Sequence, residues 1–178
     1  GHEGTREDPG RWIVRDQEDL AGHCILRFQP VGSTQNLAQL NIAAMREPLD
    51  SPGMADFVTN IDRINSMAEA APGFIWRLKD DPPANPFGEM TLVNLSVWEG
   101  IESLSDYVHK SAHAGFLRRR REWFTRLAEA SMVLWWVPAG HLPTVQEAAE
   151  RLHLLRRNGP TRDAFTFAAR HEPPGHAV

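Results

Sequence analysis

The chain has 178 residues, 42% of them apolar and 24% charged, a globular composition that argues against a disordered tail or a coiled coil. The net charge of −4 at pH 7 offers no cationic excess to neutralise phosphates, so nucleic acid is not an expected partner. No apolar run reaches the ~18 residues of a membrane span, and the single cysteine, Cys24, excludes an internal disulfide or a CxxC metal site.

The length fits one domain with an extension. The opening stretch GHEGTREDPG is polar and acidic, unlike a signal peptide, and the expected compartment is the cytoplasm. Residues 1–36 are rich in Gly, Asp, Glu, Gln and Arg and end in a turn-like stretch, Gly32–Asn36. They read as an N-terminal extension, with short strands at Trp12–Val14 and Cys24–Phe28.

From Leu37 the patterns become regular. At Leu37–Ala43, Ala38, Leu40 and Ile42 alternate with Gln39, Asn41 and Ala43, a strand with one apolar and one polar face. Ser51 as N-cap and Pro52 at the first position open a helix. Met54, Phe57, Val58, Ile61, Ile64 and Ala68 give it one apolar stripe, and Pro72-Gly73 ends it. Phe74–Lys79 is a second strand, with Phe74, Trp76 and Leu78 sharing a face, and the proline-rich Asp80–Gly88 is a loop. Thr91–Trp98 is a third strand, with Asn94, Ser96 and Trp98 on one side. A second helix is expected from Ile101 to about Leu127, with a break near Gly115. Met132–Val137 is a fourth strand, apolar on both faces and therefore covered on both sides. Thr144 with Glu147 three residues on makes a capping box for a third helix, which Gly159-Pro160 ends. Ala164–Ala168 is a last short strand, and residues 171–178 are a polar tail.

The core order is β-α-β-β-α-β followed by α-β: an α+β, ferredoxin-like domain over residues 37–170 with an extra C-terminal helix and strand. Two helices cover one face of such a sheet. The other face calls for a second sheet, packed against it in a symmetric homodimer that encloses a cavity.

Several segments carry a family resemblance. They are LAQLNIAAM at Leu37–Met45, IDRINSMAEAAPGFIWRL at Ile61–Leu78, LVNLSVWE at Leu92–Glu99, SAHAGFLRRRREWF at Ser111–Phe124, VLWWVPAGHLPT at Val133–Thr144 and GPTRDAFTF at Gly159–Phe167. Over residues 37–168 the chain resembles a bacterial domain-of-unknown-function family within the dimeric α/β-barrel superfamily. That superfamily includes antibiotic-biosynthesis and haem-degrading monooxygenases, chlorite dismutase-like proteins, aldoxime dehydratases, stress-response proteins and muconolactone-isomerase-like members. The resemblance implies a dimeric α/β barrel. It supports the fold more than the chemistry, because function lives in the site.

Four groups of residues are candidates for chemistry. Gln39 and Asn41 on the first strand, with Asn94, Ser96 and Trp98 on the third, put polar groups into an otherwise apolar sheet. If the helices cover the apolar faces, these side chains point into the dimer cavity, either as a small-molecule site or as a wet interface of self-paired amides. His109 and His113, spaced i,i+4, share a helix face and suit a metal pair, although a third ligand is needed. His113 alone serves as a haem ligand, a general base or an ordinary helix histidine, and Tyr107, the only tyrosine, is a nearby proton donor or cavity cap. Trp135 and Trp136 point oppositely, one to the cavity and one to the helices, with His141 on the turn behind them. Arg118–Arg121 spread around a helix as a solvated face with salt bridges to Asp106, Glu122 or Glu129.

The resemblance implies that Asn41 matches a first-strand Asn of haem-degrading relatives, and His113 their helix-borne proximal His. The expected function is a small-molecule enzyme, oxidative and monooxygenase-like, acting in a cavity between sheet and helices, with haem on His113 or no cofactor. In that picture Asn41 and Asn94 orient the substrate or polarise oxygen, and Trp98 and one of Trp135 and Trp136 wall the pocket. The alternatives are a non-catalytic ligand-binding or stress-response module, and an isomerase or dehydratase using His113 or Tyr107.

Overall fold

The computed structural model describes residues 13–18, 24–29, 34–79, 84–110 and 119–174. The expected His113, Gly115 and Arg118 lie outside the described residues, as do the end of the polar tail and most of the extension.

Two units are distinguished. In one, β1 (Ile13–Glu18) and β2 (Cys24–Gln29) pair antiparallel, Ile13 opposite Gln29 and Glu18 opposite Cys24. The other begins at Gln35 and contains β3 (Gln35–Met45), α1 (Ala55–Glu69), β4 (Phe74–Arg77), β5 (Thr91–Trp98), α2 (Ile101–Lys110), β6 (Phe124–Thr125), β7 (Met132–Pro138) and α3 (Val145–Asn158). Its sheet is antiparallel in the order β4-β5-β3, with β7 and β6 sharing the far edge of β3. This is the ferredoxin-like α+β order expected from the β-α-β-β-α-β pattern.

The register of β3 fixes the two faces of the sheet. Leu37 lies opposite Trp98, Gln39 opposite Ser96 and Asn41 opposite Asn94, while Leu37 and Gln39 face Trp136 and Leu134 across β7. Because side chains alternate, all of these share one face. Leu37, Trp98 and Leu134 cluster there with Ile101 and Leu104 of α2 and with Ala68 of α1. Ala43 clusters with Phe57 of α1, Met54, Trp123 and Phe124 at the other end of that face. The opposite face is apolar throughout: Ala38, Leu40, Ile42, Leu95, Val97, Val133 and Trp135 pack against Val145, Ala148, Leu152 and Leu155 of α3.

This placement corrects one expectation. The polar row of Gln39, Asn41, Asn94, Ser96 and Trp98 does not lie on the face left free by α1 and α2; it lies on the face they pack against, with Asn94 exposed. An entirely apolar face carries the larger penalty in water, and the C-terminal helix covers it. That helix packs on β7 and β3, while Val93, Trp76 and Leu78 on the β5–β4 side are half-buried.

Local differences from the periodicity have physical causes. A bulge at Ile75 sets Phe74 opposite Trp98 but Trp76 opposite Val97, so these residues fall on different faces. Phe74 joins the α1/α2 side, Trp76 joins the α3 side, and Ile75 is exposed. Ser51 has the extended backbone of an N-cap but makes no capping bond, and a 3-10 turn (Pro52–Met54) precedes α1. Val58, assigned to the apolar stripe, is 41% exposed. The second helix does not reach Leu127: residues 119–123 are helical and the chain then extends into β6, where Thr125 and Phe124 pair with Ala44 and Met45. The expected strand Ala164–Ala168 reduces to two isolated bridges, Ala164 with Thr161 and Phe165 with Leu134, the latter pair exchanging both backbone hydrogen bonds. α3 begins as expected, with Thr144 Oγ1 accepting from Glu147 N at 3.1 Å, and ends at Gly159 with φ +72°.

Candidate functional site

The polar row is held from one end by aromatic packing. The Trp98 ring stacks on Tyr107 of α2, centroids 5.2 Å apart, and receives the edge of Phe74 at 5.3 Å. Its Nε1 donates to Ser96 Oγ at 2.9 Å, and Ser96 Oγ donates to Gln39 Oε1 at 2.8 Å. Trp98, Ser96 and Gln39 are only 1%, 5% and 8% exposed. Two strands thus carry a hydrogen-bonded chain across the sheet.

One step along the strands stand Asn41 and Asn94, directly opposite each other, with Asn41 half-buried and Asn94 exposed. Such cross-strand pairs hold their Cβ atoms within about 5.5 Å. Among the described residues neither carboxamide has a hydrogen-bond partner. Beyond them lie Ala43 and half-buried Leu92, which pack on the Phe57–Trp123–Phe124 cluster; Phe124 meets Phe57 edge-on at 5.1 Å. Polar amides therefore sit between two aromatic clusters on the sheet face that α1 and α2 pack against. This arrangement can bind a flat molecule by its faces and hydrogen-bond its polar edge.

Tyr107, expected as a proton donor or cavity cap, ties α2 to α1 and to the sheet. Its hydroxyl donates to Ile64 O of α1 at 3.3 Å, its ring supports Trp98, and burial pushes its pKa up to about 12. His109 is exposed, and its ring meets Phe167 at 6.0 Å. No group of three or more His, Cys, Asp or Glu among the described residues is arranged to hold a metal.

The two tryptophans of β7 serve the C-terminal segment. Trp135, on the α3 side, donates from Nε1 to Glu147 Oε1 at 3.0 Å, and His141 Nε2 contacts Glu147 Oε2 at 2.8 Å. The Glu147 carboxylate, expected to complete a capping box, instead joins strand, turn and helix. Trp136, on the α1/α2 side, donates to His171 O at 2.7 Å and packs near Phe165. Trp136 packs against the Leu37–Trp98–Leu134 cluster that flanks the amides, whereas Trp135 belongs to the α3 face. Arg119 bridges Asp56 (2.9 Å) and Glu122 (2.8 Å) and lies over Trp123 at 4.8 Å, so the arginine run holds a helical turn against α1. The hydrogen-bonded Arg119 guanidinium holds the Glu122 carboxyl below its usual range. A groove of about 660 Å³, lined by Pro86, Phe87 and α3 side chains including Glu150 and Leu154, lies on the α3 side, away from the amides.

Sequence reading named every member of the polar row but not its wiring. The i,i+2 spacing places Ser96 and Trp98 on one face, whereas the link to Gln39 needs the β3–β5 register. The aromatic wall at Trp123 and Phe124 was concealed within an expected long helix, and nothing local marked Glu147 as the partner of Trp135.

A family model for a domain of unknown function, DUF3291, matches residues 36–178. The chain belongs to the DUF3291 family. Its match spans the whole β-α-β-β-α-β core and α3. No curated protein matches this DUF3291 chain. Among solved structures, it is similar to SnoaB of Streptomyces nogalater, a cofactor-independent oxygenase, at 13% identity and TM-score 0.43, covering 61% of this chain and 96% of SnoaB. It is similar to a protein of unknown function from Nitrosomonas europaea at 16% identity and TM-score 0.41, covering 64% and 99% of the two chains. It is also similar to a Pseudomonas aeruginosa protein at 13% identity and TM-score 0.42, covering 63% and 98%.

Proposed function

We propose that this DUF3291 chain is a small-molecule enzyme of monooxygenase-like type, acting on a planar aromatic substrate held at Asn41 and Asn94. The observation that carries this reading is the cross-strand carboxamide pair, without a hydrogen-bond partner among the described residues, between two aromatic clusters. Amide N–H groups beside a substrate oxygen stabilise the anion formed when an enolisable or phenolic ring loses a proton. The electron-rich carbon then bonds to O₂, and the resulting hydroperoxide loses water to leave a carbonyl. The balance is one CH₂ and one O₂ converted to one C=O and one H₂O.

Haem fits the described residues poorly. Carboxamides are not haem-iron ligands, and the described part of α2 offers only His109, engaged with Phe167. Tyr107 acid–base chemistry is disfavoured by a hydroxyl that is committed to Ile64 O and difficult to ionise. A homodimer belongs to the same proposal. The half-buried Val93, Trp76 and Leu78 are the part of the apolar face that a second copy would cover.

Oxygen uptake with a panel of enolisable and phenolic polycyclic aromatics tests the activity, with an absorption spectrum before and after added haem. The expected result is uptake by the wild type that falls at least tenfold in Asn41→Ala and Asn94→Ala, with unchanged folding. Binding without uptake would make the chain a ligand-binding module. A Soret band lost in His113→Ala would transfer the chemistry to haem. Sedimentation at several concentrations reads the oligomeric state.

A further inference from the structure

The hydrogen-bonded chain beneath α2 has a direction, and that direction limits what the site accepts. It starts at Trp98, whose indole nitrogen donates and cannot accept. The ring has no freedom to turn away, being stacked on Tyr107 and met edge-on by Phe74. Ser96 Oγ must therefore accept from Trp98, and its own proton needs another acceptor. In this buried position the acceptor is Gln39 Oε1 at 2.8 Å. A carboxamide with its oxygen committed to Ser96 keeps its nitrogen for something else, and Gln39 Nε2 has no hydrogen-bond partner among the described residues. Flipping the amide would leave the buried Ser96 proton without an acceptor.

Asn41 and Asn94 are not constrained in this way. Without partners among the described residues, each can rotate to present either its oxygen or its nitrogen. Selection between donor and acceptor ligands therefore falls on Gln39, which shares their face two residues before Asn41. We infer that the Trp98–Ser96–Gln39 chain fixes the polarity of the site, so that it takes planar aromatic ligands presenting an acceptor oxygen, a carbonyl or an enolate, to Gln39 Nε2. Trp98 and Ser96 are positioning residues in this scheme, and Gln39 is the group that touches the ligand. The inference rests on the proposed site at Asn41 and Asn94 and adds the ligand's hydrogen-bonding class.

Three uncharged tricyclic probes of similar outline separate the outcomes: fluorenone, which only accepts; carbazole, which donates through its N–H; and fluorene, which does neither. Dissociation constants are measured by fluorescence or calorimetry on the full chain. The wild type is expected to bind fluorenone at least tenfold more tightly than carbazole or fluorene. Ser96→Ala frees the Gln39 amide to flip, and the preference should fall below threefold. Ser96→Thr keeps the hydroxyl and should restore it. Gln39→Met keeps the side-chain length, removes the N–H groups and should abolish the preference even if Ser96→Ala fails to fold. Equal binding of all three probes by the wild type would overturn the polarity while leaving the site in place. A tenfold preference that survives in Ser96→Ala or Gln39→Met would overturn the assigned cause. No binding of any probe would overturn both the inference and the proposed site.

Discussion

Tyr107 is the only tyrosine in the chain, so its ionisation can be followed without interference from another phenol. Its environment opposes the phenolate twice: burial removes solvation, and the hydroxyl would lose the bond it donates to Ile64 O. The phenol is raised from the ordinary 10.0 to about 12. At pH 11 a group titrating near 12 is only about one-tenth ionised, whereas one titrating near 10 is about nine-tenths ionised. A pH titration of tyrosinate absorbance near 295 nm reads this difference, with the same titration in denaturant as reference. Below pH 10 both folded and unfolded forms keep the proton, and the contribution to stability is intact. Between pH 10 and 12 the unfolded chain releases the proton and the folded chain does not, so stability falls as pH rises. Two pH units correspond to about 2.7 kcal/mol; because the ring is only partly enclosed, screening reduces the expected loss to about 1–2 kcal/mol. Tyr107→Phe should remove that part of the alkaline decline in melting temperature. A phenol that titrates near 10 while the near-ultraviolet circular dichroism stays native would refute the packing of Tyr107 between Trp98 and α1.

Further substitutions test the remaining supports by thermal or denaturant unfolding. Thr144→Ala removes the side-chain cap of α3 and should cost about 1 kcal/mol. Glu147→Ala leaves the Trp135 indole N–H without its partner, at about 1–3 kcal/mol. The double variant should not be additive, because both residues act on the same turn. Phe165→Ala opens a cavity at a fully buried ring beside Leu134 and should cost about 3–5 kcal/mol. Gly73→Ala combines a φ of +77° with a Cβ that would collide with the Ser103 side chain, so a loss well above ~1 kcal/mol is expected.

Elements whose causes are local were legible in the sequence. Thr91–Trp98 declared itself by alternation, and α3 by its Thr144 cap and its terminal Gly159, because each signal lies within a few residues of the structure it produces. The extent of the second helix was not legible. Trp123 and Leu127 continue a helical spacing, yet the chain turns to strand at Phe124 because Ala44 and Met45 at the edge of β3 accept its pairing. The face of the sheet taken by α1 and α2 was also out of reach. Alternation shows that Gln39 and Asn41 share a side; which helix covers that side depends on the summed apolar surface of four strands. The polar row had the composition of a site, but the hydrogen bond that links its two strands joins residues 57 positions apart.

The bulge in β4 links these observations. Without the bulge, with Ile75 paired as an ordinary strand residue, strict alternation would place Phe74 and Trp76 on the same face, and one of the two clusters would lose an aromatic ring. With it, Trp76 joins the α3 side while Phe74 stays opposite Trp98 and fixes the ring edge-on. That contact helps hold the indole in the orientation from which Nε1 reaches Ser96, and Ser96 in turn orients Gln39. A single inserted residue at the sheet edge is thus connected, through one aromatic contact and two hydrogen bonds, to the amide nitrogen offered to a ligand. Deleting Ile75 would remove the bulge while leaving Phe74 opposite Trp98 and Trp76 opposite Val97, so ligand preference should survive it. Phe74→Leu, which keeps the apolar volume but removes the edge-on ring, should weaken the fluorenone preference while costing less stability than Trp98→Ala. If Phe74→Leu leaves the preference at its wild-type value, the indole is held well enough by Tyr107 alone, and the bulge contributes to packing but not to selectivity.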